Sequence, residues 1–221
     1  NLRKIDVKQS KNPDFIIANS FFVKEWVKKR YNREAIVIYP PVDLSKFKLV
    51  EDKEDYYVAV GRIVTVKRFD IVVEAFNEIE KKLVIIGDGK DYEKLKNSAK
   101  KNIFFTGFLD SDNVREYVGK AKGFIQIGVE GFGIAPIEAQ SCGTPVIAYN
   151  YGGVKETVIN KKTGLFFESQ DKESLINAIV EFEKIQFNYF KIHKHAQEFS
   201  KERFEKEFKE TIEKIIANHK F

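Results

Sequence analysis

Short apolar runs alternate with amphipathic segments along most of the chain. In the segment at 67–80, Phe69, Val72, Val73 and Phe76 recur at steps of three and four, which predicts a helix with one buried face. The segment at 112–121 has the same period. The runs between such segments are apolar at nearly every position, as is typical of strands covered on both faces. We predict strands at 14–18, 35–39, 56–61, 82–87, 102–107, 123–128, 145–149 and 164–168.

This alternation of strand and helix predicts an α/β fold: a doubly wound parallel sheet with helices on both faces. The tandem prolines Pro40 and Pro41, followed by a charge run, mark a seam between two units. From Asp171 onward the pattern is helical, without a further strand signal. We therefore divide the chain into residues 1–45, the tail of one unit plus a linker, residues 46–190, a complete doubly wound domain, and residues 191–221, a C-terminal helical segment.

Composition narrows the class of protein only partly. The 221 residues carry 38 Lys and Arg against 33 Asp and Glu, an excess that suits nucleic acid, an anionic membrane or a phosphorylated small molecule. The aromatic residues, mostly Phe, have core spacing and do not interleave with basic residues, which disfavours nucleic acid as a partner. The single Cys142 excludes an internal disulfide and favours a cytoplasmic location. No apolar run could span a bilayer, so we expect any membrane contact to be peripheral, at the inner face.

Glycines recur where the predicted strands end. In an open α/β sheet, ligands bind beyond the carboxyl ends of the strands, and a glycine there lets a ligand approach the backbone closely. We expect this edge to hold the functional site. The glycines that follow the central strands are Gly61, Gly87, Gly89, Gly107 and Gly128.

Two cations, Arg62 and Lys67, lie between the first strand of the domain and the helix that follows it. A cation near a helix N-terminus opposes the helix dipole unless an anion lies there to offset it. A diphosphate would suit this position. The alternative is that both are ordinary surface charges.

Two glutamates bracket another predicted helix start, in the stretch "GVEGFGIAPIEAQSCGTPVIAYNYGG" at 128–153. The amides of residues 133–135 lack partners within the helix and can bind an oxygen of a phosphate or sugar. Glu138, one turn further on, can accept two hydrogen bonds from a vicinal diol such as ribose. Glu130, in the preceding loop, would face the other end of the ligand. The alternative for each glutamate is an ordinary role, either as a solvated acid in a loop or as an acid favoured by the dipole at a helix N-terminus.

Four stretches then carry a resemblance: "VGRIVTVKR" at 60–68, "GFL" at 107–109, "EGFGIAPIEAQSCGTPVIA" at 130–148 and "GGVKETVINKKTGLFF" at 152–167. In this order they resemble the retaining glycosyltransferases of the two-domain GT-B type, family 4 (group 1), in their C-terminal, nucleotide-sugar-binding half. Two positions depart from the family's commonest pattern, because Arg68 stands where many members have Gly and Lys155 where many have Pro.

The resemblance implies a Rossmann-like half of a GT-B fold, with residues 1–45 as a short remnant of the N-terminal acceptor domain. It implies that Arg62 and Lys67 bind the donor diphosphate and stabilise the leaving group, and that Glu130 acts with them at the sugar. Glu138 would hold the ribose, and the "GDG" and "GFL" loops would border the base. The implied donor-binding set is Gly61, Gly87, Gly89, Gly107, Phe108, Leu109, Phe132, Gly133, Ile134, Ala135 and Glu138.

The function implied is transfer of a hexose, with GDP-mannose as the favoured donor, to a saccharide or lipid-linked acceptor with retention of configuration. Neither a metal nor another cofactor is expected, and related enzymes build cell-surface polysaccharide. A non-catalytic nucleotide-sugar-binding module and a GT-B-type epimerase or phosphorylase are the alternatives. The family's acceptor domain needs many more residues than precede the seam, so we expect this chain to bind donor but to transfer sugar negligibly alone.

Three further signals have ordinary explanations. Asp110 and Asp112 imitate a metal-binding acidic pair, but they precede a predicted helix, where acids act as caps. His193 and His195 are predicted to lie on a solvated helix surface. Cys142 is predicted to be a small apolar residue near a helix end.

Overall fold

The structure is a computed structural model that describes residues 2–218. All eight predicted strands are present, although the first two are reduced to two residues each. The strands are β1 (Ile17–Ala18), β2 (Ile36–Val37), β3 (Glu54–Val60), β4 (Leu83–Ile86), β5 (Ile103–Gly107), β6 (Ala121–Gln126), β7 (Val146–Tyr149) and β8 (Gly164–Phe167).

Helices fill the intervals between the strands. The helix predicted at 67–80 begins at Phe69, after a 3₁₀ turn at Thr65–Lys67, and the helix predicted at 112–121 begins at Ser111. None of the helices within residues 2–218 has the length and apolar composition needed to cross a membrane. The helices are α1 (Leu2–Gln9), α2 (Phe21–Tyr31), α3 (Phe69–Ile79), α4 (Tyr92–Ser98), α5 (Ser111–Lys120), α6 (Ile134–Ser141), α7 (Val154–Thr157), α8 (Lys172–Phe182), α9 (Tyr189–Ala196) and α10 (Lys201–Asn218).

Strands β3 to β8 form one sheet in the order β5-β4-β3-β6-β7-β8, and every neighbouring pair is parallel. The chain begins in the middle at β3, moves outward through β4 and β5, and returns to place β6 on the other side of β3. The predicted doubly wound sheet is confirmed. Its winding reverses between β3 and β6, and such a reversal leaves a crevice at the carboxyl ends of the two strands.

Both faces of the sheet are buried, which explains the nearly continuous apolar runs. Alternate residues of a strand point to opposite faces. Tyr57 and Ala59 of β3 accordingly join the core formed with α3 and α8, while Tyr56 and Val58 join the core formed with α5, α6 and α7. The predicted helices thus cover both sides, as expected.

The N-terminal unit has its own small sheet, in which β1 and β2 pair in parallel. At Val42 the linker donates its N–H to the carbonyl oxygen of Phe199 in the C-terminal segment at 3.0 Å and shares an apolar cluster with Ile137 of α6 in the main domain. Helix α10 then returns to the N-terminal unit, where its residues Thr211 and Ile215 line a groove together with Ile36. The linker and α10 therefore both hold the two units together. The boundaries placed at residues 45 and 190 stay predictions.

Candidate functional site

A cavity of about 500 Å³ opens at the crevice between β3 and β6. This volume is in the usual range for small-molecule sites, roughly 300–1,000 Å³. Its walls come from the segments that follow β3 and β6 and from the first turn of α6, while Asn19 and Pro40 of the N-terminal unit close one side. The predicted site residues that line the cavity are Gly61, Arg62, Lys67, Glu130, Phe132, Gly133, Ile134 and Ala135.

Lys67 and Glu130 form an ion pair across the cavity, and their side chains are 30% and 31% exposed. The 3₁₀ turn that carries Lys67 packs directly on Gly128, where a side-chain Cβ would lie 3.3 Å from the Lys67 Cα. A larger residue at position 128 would therefore fit only if the Lys67 turn shifted slightly. The glycine after β6 lets this turn pack closely against the cavity wall.

Arg62 lies on the same wall, directly after β3, and is exposed. No hydrogen bond or ion pair reaches its guanidinium from any other residue of the described chain, 2–218. Its positive charge therefore lies at the cavity wall without a direct ion-pair partner among the described residues. Arg62 is the group best placed to meet an anionic ligand.

The first turn of α6 adds backbone donors to this wall. Gly133 precedes the helix with φ of 95°, a left-handed conformation that favours glycine, and a Cβ there would have ordinary contact with Pro136 at 3.5 Å. The backbone angle at position 133, and not a lack of space for a side chain, therefore favours glycine here. The amides of Ile134 and Ala135 that follow have no partner within the helix and lie at the positive end of its dipole.

Glu138 does not line this cavity. It lies on α6 one turn after Ala135, and burial raises the pKa of its carboxyl, an effect that the nearby charge of Arg115 partly offsets. No hydrogen bond to the Glu138 carboxylate occurs among residues 2–218. Its role in holding a ribose stays a prediction.

The loops expected to border the base lie outside the cavity wall as well. A Cβ at Gly87 would lie 2.0 Å from the carbonyl oxygen of Gly61, and one at Gly89 would lie 2.2 Å from that of Ile63. The close approach expected at these two glycines is thus made by the chain's own backbone. Beyond β5, Gly107 has φ of 73° and Phe108 is 82% exposed, whereas Leu109 is half-buried against the core. Contact of these loops with a base stays a prediction.

Phe132 belongs to the core as well as to the cavity wall. Its ring is buried, and it stacks on Tyr39 with ring centres 5.3 Å apart and meets Phe199 edge-on at 5.7 Å. The side chain thus anchors the loop before α6 to the linker. Its contribution to the cavity depends on this packing.

Sequence patterns alone missed a clamp on the loop at 130–132. The buried Ser20 donates its Oγ hydrogen to the Gly131 carbonyl oxygen at 2.5 Å. The Glu156 carboxylate accepts hydrogen bonds from the amides of Phe21 and Phe22 at 2.8 and 2.9 Å, which fixes the start of α2 against the main domain. The position of Ser20 just before an amphipathic run signals a helix N-cap, and it does cap α2, but nothing in the pattern indicates its distant partner.

The remaining signals have mixed outcomes. Asp110 caps α5 by accepting a hydrogen bond from the Asn113 amide at 2.9 Å, and Cys142 is buried at the end of α6, as predicted.

The prediction that His193 and His195 lie on a solvated helix surface was wrong. Helix α9 packs against α6 and α7. As a result, His193 Nδ1 lies 2.5 Å from the backbone carbonyl oxygen of Ser141, and His195 Nε2 lies 3.1 Å from that of Thr157. Within residues 2–218, no group of three or more His, Cys, Asp or Glu side chains is arranged to hold a metal ion.

Comparison with known proteins agrees with this architecture. The model of the family "Glycosyl transferases group 1" matches residues 42–218. The chain is 32% identical, over 86% of its length, to the uncharacterized glycosyltransferase MJ1178 of Methanocaldococcus jannaschii, of which it covers 55%. It is 26% identical over 93% of its length to MJ1069 of the same organism, of which it covers 60%.

Solved structures show the same fold. A sucrose-phosphate synthase from Thermosynechococcus elongatus superposes with a TM-score of 0.87 at 23% identity, over 98% of this chain and 62% of that one. The Anabaena protein Alr3699/HepE, solved in complex with UDP-glucose, gives 0.84 at 18% identity, over 96% and 67%.

The chain therefore belongs to the glycosyltransferase group 1 family, and its sheet is the Rossmann-like half of a GT-B fold. The resemblance drawn from the sequence motifs is confirmed. The chain spans between 55% and 60% of the length of the two curated relatives named above.

Proposed function

We propose that the cavity between β3 and β6 is the donor site of a retaining hexosyltransferase, which takes its sugar from a nucleoside-diphosphate sugar. The observation that carries this proposal is the convergence of Arg62, Lys67 and the first-turn amides of α6 on one cavity where the winding reverses. These are three kinds of anion-binding group, and they come from two segments, the loop between β3 and α3 and the first turn of α6. A diphosphate is the part of the donor that would need them all.

The same groups suit the chemistry of transfer. The bond from the anomeric carbon to the diphosphate oxygen breaks, a bond to the acceptor oxygen forms on the same face of the sugar, and the acceptor proton leaves with the nucleoside diphosphate or solvent. Negative charge grows on the diphosphate as its bond breaks. Fixed positive groups at that oxygen lower the barrier, and such electrostatic stabilisation is usually a large term in catalysis.

Glu130 has a different part in this proposal. Its carboxylate holds Lys67 at the cavity wall when no ligand is bound, and the oxygen that does not contact Lys67 is free to accept a hydrogen bond from a sugar hydroxyl. A carboxylate near a diphosphate also repels it. We therefore expect Glu130→Gln to bind nucleoside diphosphate at least as well as the native chain, and yet to transfer sugar more slowly.

The names of relatives support a hexose but differ in which hexose, and of the two relatives below only the mannosyltransferase name states a base. A GDP-mannose-dependent phosphatidylinositol monomannoside mannosyltransferase of Mycobacterium tuberculosis is 32% identical over 56% of this chain. A poly(glycerol-phosphate) alpha-glucosyltransferase of Bacillus subtilis is 26% identical over 90%. We retain GDP-mannose as the proposed donor, a saccharide or lipid-linked acceptor, and a cytoplasmic role in cell-surface polysaccharide synthesis with peripheral membrane contact.

We also propose that donor binding needs no metal, because Arg62, Lys67 and the α6 amides can together balance the diphosphate charge. Calorimetry with GDP, UDP and ADP, each with and without EDTA, tests both statements. We expect one of the three nucleoside diphosphates to bind tightly, with an affinity that EDTA does not change. Failure of all three to bind at millimolar concentration would contradict the donor site, and a requirement for Mn²⁺ would contradict metal independence.

A donor-binding module without transfer activity is the second candidate, because the anion-binding groups that line the cavity would serve binding alone as well as transfer. The two are separated by assaying the longest natural form of the protein with a labelled donor and determining the anomeric configuration of the product by NMR. Retained configuration supports the enzyme. Donor binding without any transfer or hydrolysis would support the module.

A further inference from the structure

A second cavity, of about 520 Å³, shares no lining residue with the first. One wall is the loop at 159–163, which leads into β8 and so lies at the amino edge of the sheet. The other wall is the segment at 186–198, which contains α9. We call it the α9 cavity.

The walls of the α9 cavity are strongly basic. Lys161 and Lys162 project from the loop and Lys191 and Lys194 from α9, whereas Glu198 is the one acid on the described walls. Within residues 2–218, none of these four ammonium groups has a carboxylate within 4.0 Å. Unpaired lysines occur elsewhere on this surface, but here four share one concavity, which concentrates positive potential inside it.

Both walls are fixed by hydrogen bonds. The Ile159 amide donates to the buried Thr163 Oγ1 at 2.8 Å, and the Lys161 amide donates to the Gly164 oxygen at 2.6 Å. On the other wall, His195 Nε2 lies 3.1 Å from the Thr157 oxygen, so this nitrogen carries the hydrogen. The walls are therefore set before any ligand arrives, and the ordering cost on binding falls mainly on the exposed lysine side chains.

The α9 cavity also has apolar lining. Ile159 is 41% exposed beside the lysines, and the half-buried Phe187 lies on the same surface. Cations around an apolar patch match a ligand with an anionic group and an apolar portion. We propose that the α9 cavity binds a phosphate group borne by a molecule with an apolar portion, either an anionic phospholipid headgroup or a free phosphorylated metabolite.

The test follows amide NMR shifts of residues 159–163 and 188–194, which separates this cavity from the first. Phenyl phosphate is the free probe, and vesicles of phosphatidylcholine with or without phosphatidylglycerol are the lipid probe, measured by co-sedimentation. The variant is Lys191→Gln with Lys194→Gln. The matched control is Lys82→Gln with Lys101→Gln, two exposed lysines at the far side of the sheet that remove the same charge.

Replacing Lys191 and Lys194 by Gln should weaken binding at least tenfold, since hydrogen bonds to charged groups are worth about that much or more. Shifts with phenyl phosphate that the α9 variant loses and the control keeps would support a free ligand. Co-sedimentation with phosphatidylglycerol vesicles, lost in the same variant alone, would support a lipid headgroup. Absence of both effects, or equal loss in the control, would overturn the proposal.

Discussion

Two groups of charged residues, the cluster around Glu183 at the amino ends of β3, β4 and β6 and the cations of the first cavity, are used in opposite ways. At the amino edge, Glu183 accepts hydrogen bonds from Tyr57 at 2.7 Å, Lys81 at 2.8 Å and Lys122 at 2.7 Å. Burial alone would raise the pKa of Glu183, but the hydrogen bonds from Lys122, Lys81 and Tyr57 outweigh it and lower the pKa to about 2. At the carboxyl edge, Arg62 has no such partner among the described residues, and Lys67 shares Glu130 with no other cation.

This difference separates charges that stabilise the fold from charges available to a ligand. A carboxylate with three donors has its hydrogen bonding largely satisfied within the chain, so it contributes to stability and has little left for an external group. An unpaired guanidinium in a cavity contributes little to stability and can bind an anion without first breaking an internal contact. We expect substitutions in the Glu183 cluster and in the first cavity to affect different measurements.

The largest effect is expected from Lys67→Ala. If Lys67 stabilises the leaving diphosphate, its loss should slow sugar transfer by the longest natural form of the protein about 10²–10³-fold, the usual size for one electrostatic donor. Transfer from a labelled donor is the measurement. Lys82→Ala, an exposed lysine outside the cavity, is the control. Equal activity of the two variants would show that Lys67 takes no part in the reaction.

Glu183→Gln should instead reduce stability, by about 1–3 kcal/mol, because its charge-assisted hydrogen bonds are weakened. Since the pKa of Glu183 lies below its ordinary 4.5, its contribution is complete above that pH and disappears as the pH falls toward 2. The difference in unfolding free energy between native and variant chains should therefore shrink over this interval. Glu181→Gln, at an exposed pair with Lys184, is the control. A fall in nucleotide affinity with unchanged stability would contradict the claim that Glu183 serves the stability of the fold and not ligand binding.

Ser20→Ala tests the clamp that links the two units. Loss of the cap on α2 and of the donor to Gly131 should lower stability by about 1–2 kcal/mol. Nucleotide affinity should fall a few-fold, because the loop at 130–132 is then held on one side only. Ser98→Ala is the control, since that hydroxyl bonds to Leu95 within its own helix. Unchanged affinity in Ser20→Ala would show that the clamp does not position the site.

The smallest effect is expected from Arg68→Gly. Arg68 has φ of 55°, a left-handed conformation in which glycine is unstrained, which accounts for the glycine in many family members. Its exposed ion pair with Asp70 is worth little. Relief of strain and loss of this pair should nearly cancel, with a stability change under about 1 kcal/mol by denaturant titration. A tenfold loss of nucleotide affinity would place Arg68 in the donor site.

The sequence predicted those features that depend on local pattern. The strands of the main sheet and helices α3 and α5 were found because burial on both faces leaves apolar runs and regular periods, and Asp110 was recognised as a cap. Contacts between distant segments were not predictable in this way. Ser20 donates a hydrogen bond to Gly131, 111 positions away, and His193 contacts the backbone at the end of α6. Gly87 packs against the backbone of Gly61 and does not leave open space for a ligand. Each depends on how elements pack, which no local period records.

The most direct test of the account is calorimetry of nucleoside diphosphate binding to the native chain and to Arg62→Ala. We expect Arg62→Ala to weaken binding by roughly 1.5–3 kcal/mol, the range for hydrogen bonds to charged groups, with the free energy of unfolding unchanged. Arg30→Ala, at an exposed position on α2 outside the cavity, is the matched control and should bind like the native chain. Equal affinity of the Arg62 and Arg30 variants would contradict the claim that the unpaired charge at the carboxyl edge binds the donor.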